Sequence, residues 1–213
     1  MQKKYFFWLL LVMVWPGSTA MAEDYLMPKW GYEEKTIATG ETLTFYDFKG
    51  EDDIPSASSS NSYSTVVFKP QEAGYGVNIV FDYIEVEDDG TGWVSYLDVF
   101  DGVFDKDLVN NGTYPSSVSS STTPFSQLAT PLKHYENGSF SNEAFLSSDA
   151  SGALSVCFHY RYAGASRGWK ATVSTVKLQN MVLQSASAVY DFIDTEIWAG
   201  KEHVGLAAFW TAL

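Results

Sequence analysis

The chain has 213 residues, 13 Lys and Arg against 26 Asp and Glu, and a formal charge of −13 at pH 7. So acidic a surface repels phosphate backbones and anionic lipid, which argues against nucleic acid and a charged membrane face as partners. Aromatics at 16% and hydrophobics at 46% exclude a disordered tail and supply a core of ordinary size.

Lys3 and Lys4 precede an apolar run over 5–15, then Pro16, Gly17 and the small-residue ending Ala20-Met21-Ala22. That order is a secretory signal peptide over 1–22, cut after Ala22. The apolar run falls well short of the roughly twenty residues a spanning helix needs. No Cys follows it for a lipid anchor, and no later run could cross a bilayer. The mature product, 213 less 22 or 191 residues, is therefore expected to be secreted or held at the cell surface, with no membrane span.

A polar lead (23–35) leads into a strand expected over 42–46 and the motif FYD-x-x-G at 45–50. Residues 50–61, acidic and then Ser-rich with a Pro, read as a loop. A β-branched and aromatic strand over 63–68 stops at Lys69-Pro70, and Gly74-Tyr75-Gly76 turns the chain into the next one. There Val77, Ile79 and Phe81 keep period two, while Ile84 and Val86 sit on the opposite parity. Both sets can face one core only if the strand takes up an extra residue near Asp82 and Tyr83, so a bulge is expected there. An acidic, Gly-broken loop (87–92) and an alternating strand (96–100) ending in Asp101-Gly102 follow.

Residues 103–142 are rich in Ser, Thr, Asn and Pro and lack periodicity, which points to a functional loop with one or two short strands near 128–135. A short strand over 145–148 precedes the final pair. In that pair Leu154, Val156, Phe158 and Tyr160 share one face, and Ser155, Cys157, His159 and Arg161 the other. Phe81, Leu97, Val99, Leu154, Val156, Phe158 and Trp169 are the expected core. Asn111-Gly112-Thr113 and Asn137-Gly138-Ser139 match the glycosylation acceptor pattern but read as turns. No window outside the signal segment keeps a helical period, so the fold class is all-β, an antiparallel sandwich.

Two blocks carry a family resemblance. Ile79, Phe81, Ile84, Glu87 and Asp101-Gly102 stand at the spacing of one CUB pattern, and Leu154-x-Val156-x-Phe158 with Gly168-Trp169-x-Ala171-x-Val173 is similar to that family's final strand pair. The chain therefore resembles a CUB domain, a jelly-roll β-sandwich of extracellular proteins, over 36–176. FYD-x-x-G and the Gly-Trp ending look like the CUB-like modules of secreted proteins of the Bacteroidota. Animal CUB domains usually carry disulfides. Cys157 is the only cysteine here, so packing alone must hold this one. From 177 a new alternating stretch includes Val204, Leu206, Ala208 and Trp210, and resembles the start of a second, incomplete β module over 177–213.

The resemblance also implies a calcium site with three acidic positions, which fall here on Glu87, Ser95 and Arg161. A serine and a guanidinium leave too little carboxylate for calcium, so neither a metal nor any other cofactor is expected. The weak candidates for some different cation site are Glu85, Glu87, Asp88, Asp89 and Asp98. Trp93 and Tyr96 are the candidate ligand contacts, since aromatic faces stack on sugars. His134, His159 and His203 lie in unrelated contexts and Cys157 is mid-strand, so no nucleophile with its base is legible and no enzyme is expected. The sequence reads as a non-catalytic binding or spacer module that engages a protein or glycan through loops at one sandwich end. The alternative is the accessory N-terminal region of a larger secreted hydrolase.

Overall fold

A computed structural model describes residues 22–50, 62–86, 95–116, 118, 122–160 and 167–178. Ten strands are formed: β1 (Glu23–Leu26), β2 (Trp30–Ile37), β3 (Thr42–Tyr46), β4 (Ser62–Pro70), β5 (Tyr75–Val86), β6 (Tyr96–Asp101), β7 (Lys133–Glu136), β8 (Gly138–Leu146), β9 (Leu154–Tyr160) and β10 (Gly168–Lys177). They make two five-stranded sheets, one in the order β1-β3-β10-β5-β8 and the other β2-β4-β9-β6-β7. We call these sheets A and B. The protein is an all-β sandwich.

The polar lead is not a lead. Its residues form β1 and β2, which pair in parallel with β3 and β4 at the sheet edges, so the pairing is mixed where an antiparallel sandwich was expected. Edge strands have one solvated side, which is why a charged sequence such as Glu33-Glu34-Lys35 serves as a strand without an apolar run. β8 begins at Gly138, seven residues ahead of the strand expected at 145, for the same reason.

The bulge is where the parity change put it. Tyr83 pairs with Lys170 and Phe81 with Ala171, so Asp82 is the extra residue of β5 against β10. Ile79, Phe81, Ile84 and Val86 all reach the one inter-sheet core, together with Leu97, Val99, Leu154, Val156, Phe158 and Trp169. Every residue expected in the core is there. Trp169 stands edge-on to Phe158, with ring centroids 4.7 Å apart, the tilted geometry that aromatic quadrupoles favour.

Two sequence motifs turn out to be turn chemistry. In FYD-x-x-G, Asp47 Oδ1 accepts the amides of Lys49 and Gly50 at 2.9 and 3.0 Å. Gly168 packs on that carboxylate so closely that a Cβ would lie 2.0 Å from Asp47 Oδ2. At the opposite end of the sandwich Asp101 Oδ1 accepts the Ser147 hydroxyl and the amides of Ser148 and Asp149. A Cβ on Gly102 would fall 2.9 Å from Asp149, which accounts for the Asp-Gly ending of β6. Asn111 and Asn137 both take positive φ, at 54° and 42°, as turn residues do.

The largest departure from the sequence reading is on the outer face of sheet B. All seven residues of β9 are buried, including Ser155, Cys157 and His159. Cys157, on the face turned away from the core, is fully enclosed. The cover is the long unpatterned stretch after β6, with its 3-10 turns at Lys106–Leu108 and Asn110–Gly112 and the four-residue helix α1 (Phe125–Leu128). Its Phe104, Val109, Val118 and Phe125 form a second apolar cluster with Tyr63, Phe100 and Cys157. The register stands, since Val156 and Phe158 still point between the sheets.

Candidate functional site

The strand ends at Ser62, Val86, Tyr96, Tyr160 and Gly168 lie at one end of the sandwich, because the pairs Ser62 with Tyr160, Tyr96 with His159 and Glu85 with Gly168 are all terminal. At this end one row of residues crosses sheet B from edge to edge. Trp30 on β2 is registered with Tyr63 on β4, Tyr63 with His159 on β9, His159 with Tyr96 on β6, and Tyr96 with Glu136 on β7. The neighbouring residues Leu97, Phe158 and Tyr160 face the core, so the alternation of a strand puts this row on the outer face.

The centre of the row is sealed. Tyr63 stacks on Phe125 at 4.2 Å and 13° and donates its hydroxyl to the Thr123 carbonyl at 2.7 Å. His159 lies edge-on to Tyr63 and flat against Tyr96, at 5.3 Å and 5°. The ends of the row are open. Trp30 is 49% exposed with the Lys29 ammonium 5.4 Å over its ring. Tyr96 is half-buried, and His134 stacks on it at 5.1 Å from the β7 side. Tyr96 thus has an imidazole against each face.

The next row inward is polar. His134, Asp98, Cys157, Thr65 and Tyr32 are successive cross-strand partners. Asp98 has no exposed surface, yet its Oδ1 lies 2.6 Å from His134 Nδ1, while Oδ2 has no hydrogen-bond partner. Burial raises the Asp98 carboxyl above the ordinary range, against the opposing pull of the His134 hydrogen bond. The other imidazole nitrogen, Nε2, lies 3.4 Å from Glu136 Oε2. Cys157 accepts from the Thr65 hydroxyl at 3.3 Å, Thr65 accepts from Tyr114, and burial pushes the thiol well up, so it is not a poised nucleophile.

Of the residues singled out in the sequence, Tyr96 and Asp98 fall together in this region. His134 and His159, which looked unrelated, are brought to either side of Tyr96. Glu85 and Asp98 do not meet: Glu85 pairs with Arg167 on the outer face of sheet A, and Asp98 belongs to sheet B. Ser95 is buried at the entry to β6. Glu87, Asp88, Asp89, Trp93 and Arg161 lie outside the described residues, as do the signal segment through Met21 and the chain after Leu178. Among the described residues no three His, Cys, Asp or Glu side chains converge as a metal would require. Sequence reasoning missed Trp30 altogether, although Trp30-x-Tyr32 in period two is the signal that could have found it.

No family model matches the chain, and no curated protein matches it. Among solved structures it is similar to the MASP-1 CUB2 domain bound to Ca2+, at 14% identity and a TM-score of 0.33, over 66% of this chain and 98% of that one. It is also similar to the CUB1-EGF-CUB2 domain of human MASP-1/3, at 16% identity and a TM-score of 0.34, covering 68% of this chain and 43% of that one. A third is the full extracellular region of zebrafish Gpr126/Adgrg6, at 13% identity and a TM-score of 0.35, where 68% of this chain spans 15% of that one.

Proposed function

We propose that this chain is a secreted, non-catalytic interaction module of CUB-like type that engages its partner through the loop end of the sandwich. The observation that carries this reading is the cross-strand row at that end, which is sealed in its middle and open at Trp30 and Tyr96. Three interstrand spacings separate β2 from β6, a span of about 14 Å. That is the footprint of a macromolecule and not of an ion. Tyr96 has both faces occupied and presents its ring edge, and the Lys29 ammonium stands over the Trp30 ring. Sugars stack on open aromatic faces, so the row favours a protein surface over a glycan.

The His134–Asp98 pair has the outline of a base and its orienting carboxylate. Its Nε2, however, faces the Glu136 carboxylate instead of a hydroxyl or thiol to activate. This supports a binding role.

The test is a binding screen of the purified secreted chain against arrayed extracellular proteins and glycans, repeated with Trp30→Ala, Tyr96→Ala and, as a control on the opposite face, Thr172→Ala. A ligand whose affinity drops at least tenfold in the first two and holds in the third supports the reading. Equal loss in all three, or none, sinks it.

A further inference from the structure

Asp98 is an anomaly that the fold does not need. A carboxylate with no exposed surface and one oxygen without a hydrogen bond costs stability, and the same position on β6 could hold an apolar residue like its neighbour Phe100. Beside a weaker pull from the Ser126 backbone on α1, what the carboxylate does is grip His134. The ring of His134 is only 29% exposed, and it is held at three points: Nδ1 by Asp98, Nε2 by Glu136 and one face by Tyr96. We propose that Asp98 is a positioning residue, which fixes the His134 ring between Tyr96 and Glu136 and so sets the geometry of the open end of the contact row. This rests on the reading of that row as the binding surface, but its test needs no ligand.

The physical logic is a trade of stability for order. The titratable groups facing Asp98 are His134 and Glu136 from β7, Cys157 and His159 from β9, and Tyr63 from β4. Of these His134 alone donates to it in a short hydrogen bond. A carboxyl whose folded value is raised favours folding below its ordinary value, and that contribution is lost as pH rises through the folded value. Above that folded value the ionised, buried Asp98 is therefore a net burden.

Scanning calorimetry of the full chain from pH 5.5 to 8.5 tests this, with Asp98→Asn, Asp98→Ala, His134→Gln and the double variant Asp98→Asn/His134→Gln. Asn keeps an acceptor for Nδ1–H and removes the buried charge. Its Tm at pH 8 should exceed that of the unaltered chain by about 2–4 °C, and the gain should shrink toward pH 5.5. In the His134→Gln background, where the buried carboxylate has lost its imidazole partner, the gain should be larger. In NMR spectra, Asp98→Ala should scramble the His134 tautomer and move the Tyr96 ring resonances, and Asp98→Asn should restore both. If Asp98→Asn melts as far below the unaltered chain as Asp98→Ala does, the carboxylate is structural and the proposal fails. An equal gain with and without His134 would equally overturn it, because Asp98 would not then act through His134. Loss of binding in Tyr96→Ala with no such coupling between Asp98 and His134 would leave the binding surface standing and remove Asp98 from it.

Discussion

The two outer faces of this sandwich are built from similar strands and end up in opposite environments. On sheet A the outer face stays wet: Asn78, Val80 and Tyr83 on β5 and Lys170, Thr172 and Ser174 on β10 keep contact with water, while Val77, Ile79, Phe81, Ile84, Ala171 and Val173 are buried. On sheet B the strands β4 and β9 carry Tyr63, Thr65, Ser155, Cys157 and His159 at the outward positions, and all are covered. Period two tells which face meets the core. It does not tell whether the other face is wet, because that depends on a segment distant in sequence.

The comparison breaks first at the core itself. Phe158→Ala removes a ring shared by both sheets and should cost about 3–5 kcal/mol in chemical denaturation. A loss under about 1 kcal/mol would mean that the sheets do not pack as described. Phe125→Ala removes the lid of the covered face and should cost about 3 kcal/mol, the lower end of the same range. It should also expose Cys157: in the unaltered chain the thiol should react with a disulfide reagent only on unfolding, and in the variant under native conditions. Equal reaction rates would show that the face is not sealed.

At the end away from the contact row, Asp101 ties β6 to the turn after β8. Burial works to raise its carboxyl, but the hydrogen bonds from Ser148, Ser147 and Asp149 outweigh it and hold the group below the ordinary range. Because the folded value is lowered, the stability it adds is present above about pH 4 and is lost as pH falls through the folded value. Asp101→Ala should cost about 2 kcal/mol at pH 7, and its melting curve should converge on that of the unaltered chain in strong acid. Persistence of the full difference at pH 2 would show that the charge is not what matters.

On the open face of sheet A, Thr172→Val should stay within about 0.5 kcal/mol; a much larger change would reveal a cover there too. Smallest of all, millimolar calcium should leave the melting temperature unmoved, since Ser95 and Arg161 stand where the family resemblance places acids. A clear rise would locate a cation site among other carboxylates.

Much of this was legible in the residues themselves. The parity change between Phe81 and Ile84 located the bulge at Asp82 because a side chain's face is fixed by counting along a strand. The apolar positions of β5, β6, β9 and β10 named the core for the same reason. FYD-x-x-G and Asp-Gly were visible as motifs, though that they are turns gripping amides needed the fold. What the sequence could not reveal was everything that joins residues far apart along the chain: the edge strands β1 and β2, whose solvated sides remove the apolar signal; the lid of sheet B, whose apolar residues have no period; and the row from Trp30 through Tyr63, His159 and Tyr96 to Glu136. Strand order decided that row. Side-chain direction is a local property of an extended backbone, but which strand lies beside which is settled only when all of them share one core.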